Sequence, residues 1–426
     1  MVTASSPATV LLLGADGFIG RHIAFALRRE GWHVIASARR TARLDQMGFA
    51  TLRADLTDPA THDPAFWRPH LAGVDHVVNA AGLLNGSEAA FTAVHQLAPQ
   101  ALYLALPDTC TALLISAIGI ESAETSFASH RRVGEKIARD HGVTILRPGL
   151  VLGDTSYGGS SLLRAFAAFP LVTPVVGRGD QPFNPIHADD LATVIRDCLR
   201  NPPPPGPHSV GGPETLTLAD MTRAYRGWLG LARAPLLRLP LPLARALGSV
   251  GDALRLGPIS RTAVDQLSAG VLAPTSEALT TPVRPFSTFH RSRPAGTQDL
   301  WHARLYLLRP VLRLTLALLW LVSGLLGLFL PANQFLPLLG PTALPEAALI
   351  ALARLGGLAD LAIALALLRN WRPRLMAWLQ VALVALYTLA FTILAPALWL
   401  LPLGGLLKNL PILALLLIHA VLEDER

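Results

Sequence analysis

Three glycines near the N-terminus have the spacing of a phosphate-binding turn. Gly14, Gly17 and Gly20 form a GxxGxxG pattern directly after the apolar run that ends at Leu13. In such a turn the first glycine permits a tight bend, the second lets the backbone approach a diphosphate, and the third lets helix and strand pack closely. The helix that follows offers N–H groups and a partial positive charge to the phosphates. We therefore predict a nicotinamide dinucleotide site that includes Gly14, Asp16, Gly17, Phe18, Ile19 and Gly20.

Two arginines indicate which nicotinamide cofactor is preferred. The second predicted strand, residues 33–37, is followed by Arg39 and Arg40 and by no acidic residue. An acidic side chain there would bind the ribose 2′-hydroxyl of NAD, whereas a guanidinium group matches the 2′-phosphate of NADP. We therefore expect NADP(H) to be favoured over NAD(H), with Arg39 and Arg40 as binding residues. The alternative interpretation is that both arginines are solvated in a loop.

Alternating β-rich and helical segments between residues 8 and 200 predict the elements that position this turn. Continuous apolar runs indicate strands that are buried on both faces, as in a parallel sheet with crossover helices. A helix is expected over residues 18–30, and two more, over 216–230 and 241–256, are expected to form a small α-rich cap. The predicted fold is an α/β Rossmann-type doubly wound parallel sheet, with strands at Thr9–Leu13, His33–Ser37, His76–Asn79, Ala112–Ser116 and Val143–Arg147.

Short motifs over about residues 8–260 resemble those of the atypical and extended short-chain dehydrogenases/reductases. Residues 54–57, Ala-Asp-Leu-Thr, are similar to the family segment whose aspartate approaches the adenine. Residues 79–82, Asn-Ala-Ala-Gly, resemble the loop that lines the cofactor, and residues 147–149, Arg-Pro-Gly, resemble the loop near the nicotinamide. Residues 185–192 and 211–217 are similar to the branch of the nucleotide-binding accessory subunit of respiratory complex I. The resemblance implies cofactor contacts from Asp55, Leu56, Ala80, Ala81, Gly82, Arg147 and Pro148.

The catalytic tyrosine–lysine pair of this family is missing from this chain. Catalytic members use a tyrosine four residues before a lysine, and the lysine lowers the tyrosine's pKa so that the phenol can transfer a proton. Counting back from residues 134–135, Gly-Glu, places the pair at Phe127 and Arg131. If Lys136 is taken as the lysine instead, Arg132 stands at the tyrosine position. Under either alignment the proton-donating phenol is missing.

Other polar residues remain as candidates for the reaction centre. The family's substrate-orienting serine corresponds to Ser116, at the end of the fifth predicted strand. Its alternative role is to satisfy local backbone groups. Four more polar residues are candidates to approach the nicotinamide end, although two of them, His187 and Asp189, more often serve as structural anchors in such a loop. These four are His130, Tyr157, His187 and Asp189.

The C-terminal quarter has the composition of membrane-spanning helices. The chain is 51% hydrophobic and only 15% charged, which is too few charges to cover a soluble surface. Four apolar segments each approach the roughly 20 residues that a helix needs to cross a bilayer. By helix count and composition this part resembles the DoxX-like family of four-helix membrane proteins. The predicted transmembrane four-helix bundle comprises Val311–Leu330, Ala347–Leu368, Leu375–Leu394 and Leu403–Leu422.

Charges beside these segments predict their orientation. Arg369, Arg372 and Arg374 lie between the second and third segments, and further arginines precede the first. Because positively charged loops stay on the inner side, both termini are expected in the cytoplasm. The N-terminal sequence lacks the pattern of a signal peptide. We therefore expect a multi-pass protein of the cell (inner) membrane, with a domain at residues 1–270, a linker at 271–304 and a membrane domain at 305–426.

The overall charge and the cysteines exclude several function classes. The net charge is +7, but the chain has only two lysines, Lys136 and Lys408, and no basic run interleaved with aromatic residues. This pattern argues against nucleic acid as a partner. Cys110 and Cys198 are far apart and have no metal-site spacing, so we expect no metal.

Two functions fit these patterns. The first is a membrane-anchored NAD(P)-dependent oxidoreductase that acts on a quinone-like or membrane-associated substrate needing little acid catalysis. The alternative is a non-catalytic scaffold or redox sensor that binds the cofactor and docks on a membrane complex. The intact glycine turn favours the enzyme, whereas the missing tyrosine favours the scaffold. In both cases the expected partners are a nicotinamide dinucleotide and the lipid bilayer.

Overall fold

The computed structural model describes residues 7–83, 86–121, 123, 125–204, 206–256, 259–339, 344–401 and 404–424. These residues pack into two compact units. The first contains the chain up to Leu241 together with Asp265–Gly296, and the second contains Pro242–Val264 together with the chain from Thr297 onward. The division differs from the boundaries expected at residues 270 and 304, because contacts between distant segments determine it.

The strands all lie in the first unit and include the five that the sequence predicts, with ends shifted by at most one residue. Two further sheet strands, at residues 50–53 and 207–210, were not predicted. In chain order the strands are β1 Thr9–Leu13, β2 His33–Ala38, β3 Ala50–Arg53, β4 His76–Asn79, β5 Thr111–Ile115, β6 Thr144–Pro148, β7 Val151–Leu152, β8 Thr173–Val176, β9 Pro182–Phe183, β10 Ile186–His187, β11 Pro207–Val210, β12 Leu216–Thr217 and β13 Leu236–Leu239.

Helices cover the sheet and make up nearly all of the second unit. A π-helical stretch, Ala93–Leu97, joins two of them, and short 3₁₀ turns connect several others. In chain order the helices are α1 Phe18–Arg29, α2 Ala42–Gln46, α3 Pro64–Trp67, α4 Glu88–Thr92, α5 Ala98–Leu104, α6 Ser126–Asp140, α7 Gly159–Ala167, α8 Ala188–Arg200, α9 Leu218–Trp228, α10 Leu241–Ala253, α11 Arg261–Ala269, α12 Phe286–Ser292, α13 Thr297–Phe329, α14 Ala332–Leu339, α15 Glu346–Leu368, α16 Pro373–Leu394 and α17 Asn409–Leu422.

The main sheet is doubly wound, as predicted. Its seven strands are all parallel and run in the order β11-β6-β5-β4-β1-β2-β3. The order reverses beside β1, because β2 and β3 extend to one side and β4 to β6 to the other. In open α/β sheets, ligands bind outside the carboxyl ends of the strands at this reversal. The glycine turn at residues 14–20 follows β1 and therefore lies at that position.

Side chains of β1 alternate between two hydrophobic cores, one on each face of the sheet. Val10 and Leu12 pack on the face that α1 and α8 cover. Leu11 and Leu13 pack on the opposite face, against residues of α5 and α6. Burial of a leucine or valine side chain stabilises the fold by about 1.5–3 kcal/mol. The continuous apolar run is therefore explained by a strand with no solvent-facing side.

The predicted cap contains more strand than expected. Two short parallel pairs, β7 with β10 and β8 with β13, and one antiparallel pair, β9 with β12, accompany its helices. Helix α9 begins where the sequence predicts, because the Thr217 hydroxyl accepts a hydrogen bond from the Asp220 N–H at 3.1 Å. Such an N-cap satisfies one of the helix's unpaired donors.

Residues expected to form a linker are instead attached to the first unit. The side chain of Asn184, which is buried, donates to the carbonyls of Gly212 and Ala273 at 3.2 and 2.8 Å. Its oxygen accepts from the Ala273 N–H at 2.8 Å. Farther along, the Arg284 Nε donates to Asp190 at 2.7 Å. The predicted linker 271–304 is thus replaced by a segment bound to the domain, followed by the start of α13.

We expect Asn184→Ala to lower the free energy of unfolding of the first unit by about 3 kcal/mol, since three buried backbone groups lose their partner. Thermal unfolding of the detergent-solubilised chain, followed by tryptophan fluorescence, would measure the change. Asn201→Ala is the matched control, because Asn201 is exposed at the end of α8. Equal unfolding temperatures for the two variants would contradict this role of Asn184.

Among the described residues of the second unit, three helices are long and apolar enough to cross a membrane: α13, α15 and α16, with 33, 23 and 22 residues. They correspond to the first three predicted spans. The fourth predicted span, residues 403–422, is shorter than expected, since the helix α17 has 14 residues and a 3₁₀ turn at Leu406–Lys408 precedes it. Gly404 and Gly405 have φ angles of +95° and +26°, so the helix cannot continue through them. Residue 403 lies outside the described residues.

Glycines and polar groups hold these helices together. A β-carbon at Gly357 of α15 would lie 2.9 Å from the Gly324 carbonyl of α13, so only small residues allow this approach. The hydroxyls of Ser323 and Tyr387 donate to the Asp360 carboxylate at 2.6 and 3.2 Å. The second unit is therefore tied together across α13, α15 and α16.

Candidate functional site

The turn after β1 requires glycine at its first position. Gly14 has φ +73°, a conformation that side chains rarely adopt. A β-carbon there would also lie 2.8 Å from the backbone of Ala81. Gly20 packs against the same turn, and a β-carbon at that position would overlap the Gly14 carbonyl. The first and third glycines of the pattern thus have the structural roles that their spacing predicts.

The start of α1 leaves donors available at this turn. Gly17 is the N-cap residue and provides no side-chain hydrogen bond to the helix. The first N–H groups of an α-helix have no partner within the helix. Asp16 and Gly17 are exposed, and Phe18 and Ile19 are half-buried. The turn therefore presents exposed backbone and N–H groups that have no partner within the helix, which suit a diphosphate.

The parallel register brings the neighbouring turns to the same edge of the sheet. Leu13, the last residue of β1, lies opposite Ser37 of β2 and Asn79 of β4. Asn79 in turn lies opposite Leu114 of β5. The residues that follow these strands are therefore adjacent. This edge includes Gly14, Arg39, Ala80 and Ser116.

The loop after β4 is held beside the glycine turn. The Ala80 N–H donates to the Leu13 carbonyl at 3.0 Å. The buried Asn79 accepts from the Ala81 N–H at 3.1 Å and donates to the Tyr103 hydroxyl at 3.2 Å. Gly82, the next residue, is exposed. The sequence motif at 79–82 thus forms a fixed wall of the site, and Asn79 is the residue that fixes it.

Charged groups lie at the ends of β2 and β3. Arg39 and Arg40 are exposed. Asp55 is half-buried and accepts from the Thr57 N–H and hydroxyl at 3.0 and 2.7 Å. These hydrogen bonds lower the pKa of Asp55, and the charges of Arg39 and Arg53 lower it further. Asp55 is therefore ionised, and Arg39 lies close enough to influence it.

A buried arginine, Arg131, corresponds to the family's lysine under one of the two alignments. The Arg131 Nη1 donates to the Ile115 carbonyl at 2.8 Å, and its guanidinium carbon lies 5.6 Å from the centre of the Phe127 ring. A β-carbon at Gly82 would overlap the guanidinium group. Burial lowers the pKa of Arg131 to about 10, so the group is charged at neutral pH. The structure therefore brings a fixed positive charge to the wall formed by Gly82.

Two buried polar atoms at this edge lack partners. Ser116 is 5% exposed, and its Oγ has no hydrogen-bond partner among the residues that the structure describes. The same holds for the Nε of Arg131. An unsatisfied buried polar atom costs about 1–3 kcal/mol, and such atoms in native structures commonly mark sites that bind a ligand. Ser116 and Arg131 therefore have unused hydrogen-bonding capacity at this edge of the sheet.

Arg147, which was expected near the nicotinamide, is engaged elsewhere. Its Nε donates to the buried Glu135 of α6 at 2.9 Å, and its Nη1 forms an ion pair with Glu121. Hydrogen bonding to Glu135 raises the pKa of Arg147. Pro148 is buried, and its carbonyl accepts from Ile118 at 3.3 Å. The guanidinium of Arg147 thus links β6 to α6.

Among the other polar candidates, His187 and Asp189 are anchors. The Asp189 N–H donates to the His187 Nδ1 at 3.2 Å, which caps α8, and the Asp189 carboxylate pairs with His22 at 2.9 Å. Burial, followed by the charge of Arg284, lowers the pKa of His187. His130 contacts Glu88 at 3.1 Å, and Tyr157 is 68% exposed. None of these contacts involves Ser116 or Arg131.

Sequence reasoning missed one histidine of this region. His95 is buried, and its Nε2 lies 3.3 Å from both the N–H and the carbonyl of Leu83. Burial lowers its pKa to about 3, so the ring is neutral. A β-carbon at Gly134 would lie 2.5 Å from the His95 carbonyl, which explains the glycine in α6. His95 belongs to none of the motifs described above, so nothing in the sequence indicates that it lies here.

Comparison with known proteins agrees with both parts of the chain. Residues 10–100 match the family model described as the NAD dependent epimerase/dehydratase family. Residues 317–417 match the model of the DoxX-like family. The second match covers parts of α13 to α17, although α17 is shorter than the span predicted there.

Curated relatives of the N-terminal part include a reductase. The ceramide reductase of Caulobacter vibrioides (strain NA1000 / CB15N) is 27% identical over 262 residues, which is 57% of this chain and 77% of that protein. The "Epimerase family protein SDR39U1 homolog, chloroplastic" of Arabidopsis thaliana is 27% identical over 252 residues, which is 51% of this chain and 69% of that protein.

Solved structures include the same fold. A protein from Burkholderia cenocepacia J2315 that is assigned as an epimerase superposes with a TM-score of 0.50 and 17% identity, over 70% of this chain and 98% of that chain. At this identity the likeness concerns the fold alone. Taken together, the comparisons show an N-terminal domain that is similar to the epimerase-type short-chain dehydrogenases/reductases and a C-terminal domain that is similar to the DoxX-like family.

Proposed function

We propose that the protein is a membrane-anchored NAD(P)H-dependent oxidoreductase whose substrate is dissolved in the membrane. One observation carries the proposal: the glycine turn shares its sheet edge with Ser116 and the buried Arg131, two groups with unused hydrogen-bonding capacity. The similarity to a ceramide reductase supports reduction as the type of reaction. The helices α13, α15 and α16 support a substrate that partitions into lipid.

The residues at this edge fit a nicotinamide dinucleotide. The exposed residues Asp16 and Gly17 would let the diphosphate approach the turn, and the first N–H groups of α1 would donate to it. We propose Asp55 and Leu56 as contacts of the adenine end, and residues 80–82 as the lining of the ribose and nicotinamide. When bound, the nicotinamide supplies a hydride. We propose Pro148 as a further contact, and we propose Arg147 only through its backbone, since its guanidinium group is paired with Glu135.

The local chemistry limits which substrates can be reduced. Phe127 has no proton to donate, so Arg131 would stabilise negative charge that develops on the substrate oxygen, and Ser116 would donate a hydrogen bond to it. A quinone suits such a site, because hydride addition yields a hydroquinone anion that takes its proton from water. A ketone on a lipid would need the Ser116 hydroxyl or a water molecule as the proton source. We therefore place a quinone-like acceptor first and a lipid carbonyl second.

We propose NADP(H) as the favoured cofactor, because Arg39 and Arg40 are exposed at the end of β2 and no acid follows that strand. Arg39→Ala combined with Arg40→Ala should weaken NADPH binding about tenfold and NADH binding less than about twofold, the loss expected for a charge-assisted phosphate contact. Isothermal titration with both cofactors measures this difference. Arg43→Ala, an exposed arginine in α2, is the control. Equal weakening of both cofactors would remove the preference.

We propose the cell membrane as the location, with both termini in the cytoplasm. Arg369, Arg372 and Arg374 lie at or between the ends of α15 and α16, and all three are exposed. Positively charged loops remain on the cytoplasmic side. This orientation gives the N-terminal domain access to the cytoplasmic pool of nicotinamide cofactors.

The test uses the full chain in lipid nanodiscs with NADPH or NADH. A short-chain ubiquinone analogue and a ketone-bearing sphingolipid serve as acceptors, and the absorbance at 340 nm reports oxidation of the cofactor. We expect oxidation with the quinone and none when Gly17 is replaced by Trp. Tight cofactor binding without turnover on either acceptor would refute the enzyme and favour the second candidate below.

The second candidate is a non-catalytic scaffold or redox sensor on a membrane complex. Phe127 supports it, because the phenol of catalytic relatives is missing while the cofactor turn is intact. A bound cofactor stabilises the fold by mass action even when no chemistry follows. Such a protein would show a higher unfolding temperature with NADPH and no consumption of NADPH.

A further inference from the structure

Helix α10 in the second unit is packed along one narrow stripe of small residues. Ala244, Gly248 and Gly251 are buried and recur at the i, i+4, i+7 spacing of one helix face. A β-carbon at Gly248 would lie 2.8 Å from the Arg261 N, and one at Gly251 would overlap the Ile259 carbonyl. This stripe is therefore covered by the chain that follows the helix.

A second stripe of α10 is apolar and exposed. Leu243, Leu247 and Val250 have the same spacing and are 50%, 49% and 54% exposed. At 100° per residue this stripe lies about a quarter turn from the packed one. Three large apolar side chains in a continuous row are not expected to face water in a soluble protein. Some apolar partner must cover them.

The face opposite the apolar stripe is polar. Arg245, Ser249 and Asp252 are exposed and again recur at i, i+4 and i+7. The helix therefore has an apolar face, a polar face opposite it, and a packed side between the two. This is the arrangement of a helix that lies in the plane of a membrane surface, with one face towards the acyl chains and the other towards water.

Contacts at the end of α10 place it at the edge of the membrane helices. The Arg313 side chain of α13 donates to the carbonyls of Leu254 and Arg255 at 2.6 and 3.2 Å. The Arg255 Nη1 donates to the Arg369 carbonyl, at the end of α15, at 3.4 Å. Arg313 lies near the start of the apolar part of α13. The C-terminal end of α10 is thus at the level where two membrane helices leave the bilayer.

We propose that α10 is an interfacial helix that lies in the membrane leaflet next to the Arg369–Arg374 loop, with Leu243, Leu247 and Val250 inserted among the acyl chains. The helix has 13 residues, about 20 Å, which is too short to cross a bilayer of roughly 30 Å. Arg313 binds the carbonyls of Leu254 and Arg255, directly after the end of the helix. The inference concerns only the second unit, so it does not depend on whether the first unit is an enzyme.

The test is spin-label depth measurement on the full chain in nanodiscs of phosphatidylethanolamine and phosphatidylglycerol. The background is Cys110→Ser with Cys198→Ala, so that single cysteines can be labelled. Labels are placed at Leu243→Cys, Leu247→Cys and Val250→Cys, with Ser249→Cys on the polar face as the matched control. Leu386→Cys, exposed in the middle of α16, is the reference for lipid. Power saturation compares accessibility to oxygen, which enriches in lipid, with accessibility to a water-soluble nickel chelate.

We expect the ratio of oxygen to nickel accessibility to be about threefold higher or more at the three stripe positions than at Ser249→Cys, and to approach that of Leu386→Cys. High nickel accessibility at the stripe means that it faces water and overturns the proposal. Low accessibility to both reagents means that protein covers the stripe, such as a second copy of the chain, and also overturns it. If Leu386→Cys itself is accessible to nickel, the membrane placement of α16 fails, and the proposal fails with it.

Discussion

Gly17→Trp should weaken NAD(P)H binding by about 100-fold or more, equivalent to about 2.7 kcal/mol, while the domain remains folded. Gly17 is exposed, and a β-carbon at this position would lie 3.2 Å from the Gly14 carbonyl oxygen. An indole there fills the space over the first turn of α1 and blocks the N–H groups that would bind the diphosphate. Cofactor binding is measured by quenching of protein fluorescence or by calorimetry.

The matched control for this change is Gly227→Trp. Gly227 is exposed in α9, and a β-carbon there meets nothing within 4 Å. Both variants should unfold at the temperature of the unmodified chain measured without cofactor. Only Gly17→Trp should lose the rise in unfolding temperature that NADPH produces. If affinity survives in Gly17→Trp, the diphosphate does not lie against this turn, and the nucleotide site must be elsewhere.

Arg131→Met should reduce the rate of quinone reduction by about 100-fold or more, because removal of one preorganised charge or donor at a reaction centre has an effect of that size. Arg131→Lys keeps the positive charge and should retain most of the rate. The change to Met leaves the Ile115 carbonyl without its donor, so a moderate loss of stability is also expected. Steady-state rates at saturating NADPH, with cofactor affinity and unfolding temperature measured beside them, separate the two effects.

Phe127→Tyr tests the same centre in the opposite direction. A phenol beside Arg131 restores a proton donor and should raise reduction of a lipid ketone about tenfold to hundredfold. The rate with a quinone should change little, because its reduced anion takes a proton from water. A quinone rate that responds as strongly as the ketone rate would show that proton donation limits both reactions and would contradict the proposed role of Arg131. A scaffold would show no turnover in any of these variants.

Much of the fold could be predicted because the relevant information is local. The strand β1 appears as an unbroken apolar run, since both of its faces are buried. The strands β3 and β11 lie at the two edges of the sheet and lack this signal. β3 is only half-buried, and β11 begins with Pro207, which an edge strand tolerates. Edge strands bury fewer side chains, so their sequences are less constrained.

The membrane helices were predictable for the same reason. Length and apolar composition alone identify α13, α15 and α16. The shortened α17 was not predicted, because Gly404 and Gly405 have backbone angles that only the packed structure reveals. The exposed stripe of α10 also escaped prediction. The sequence of α10 predicts an amphipathic helix, but only the packing shows which of its faces other parts of the protein cover.

Arg147 illustrates why site residues were harder to predict than elements. Arg147 lies near the end of β6, which ends one residue beyond the predicted strand. The direction of its guanidinium group depends on Glu135 and Glu121, which are 12 and 26 residues away in sequence. Arg131 is the converse case, since it differs in type from the family's lysine, yet its guanidinium group lies beside the Ile115 carbonyl and Gly82 at this edge. Ion pairs and hydrogen bonds between distant segments leave no periodicity in the sequence.

The sequence by itself determined the glycine turn, the order of buried strands and the apolar length of three helices, because each depends on residues close together in the chain. The tertiary structure alone decided which groups share the sheet edge, how Asn184 holds Ala273, and which side of α10 is left open. These outcomes depend on the register of parallel strands and on contacts between segments that are 89 and 114 residues apart in sequence. Local patterns specify which element forms, and packing specifies which side chains meet.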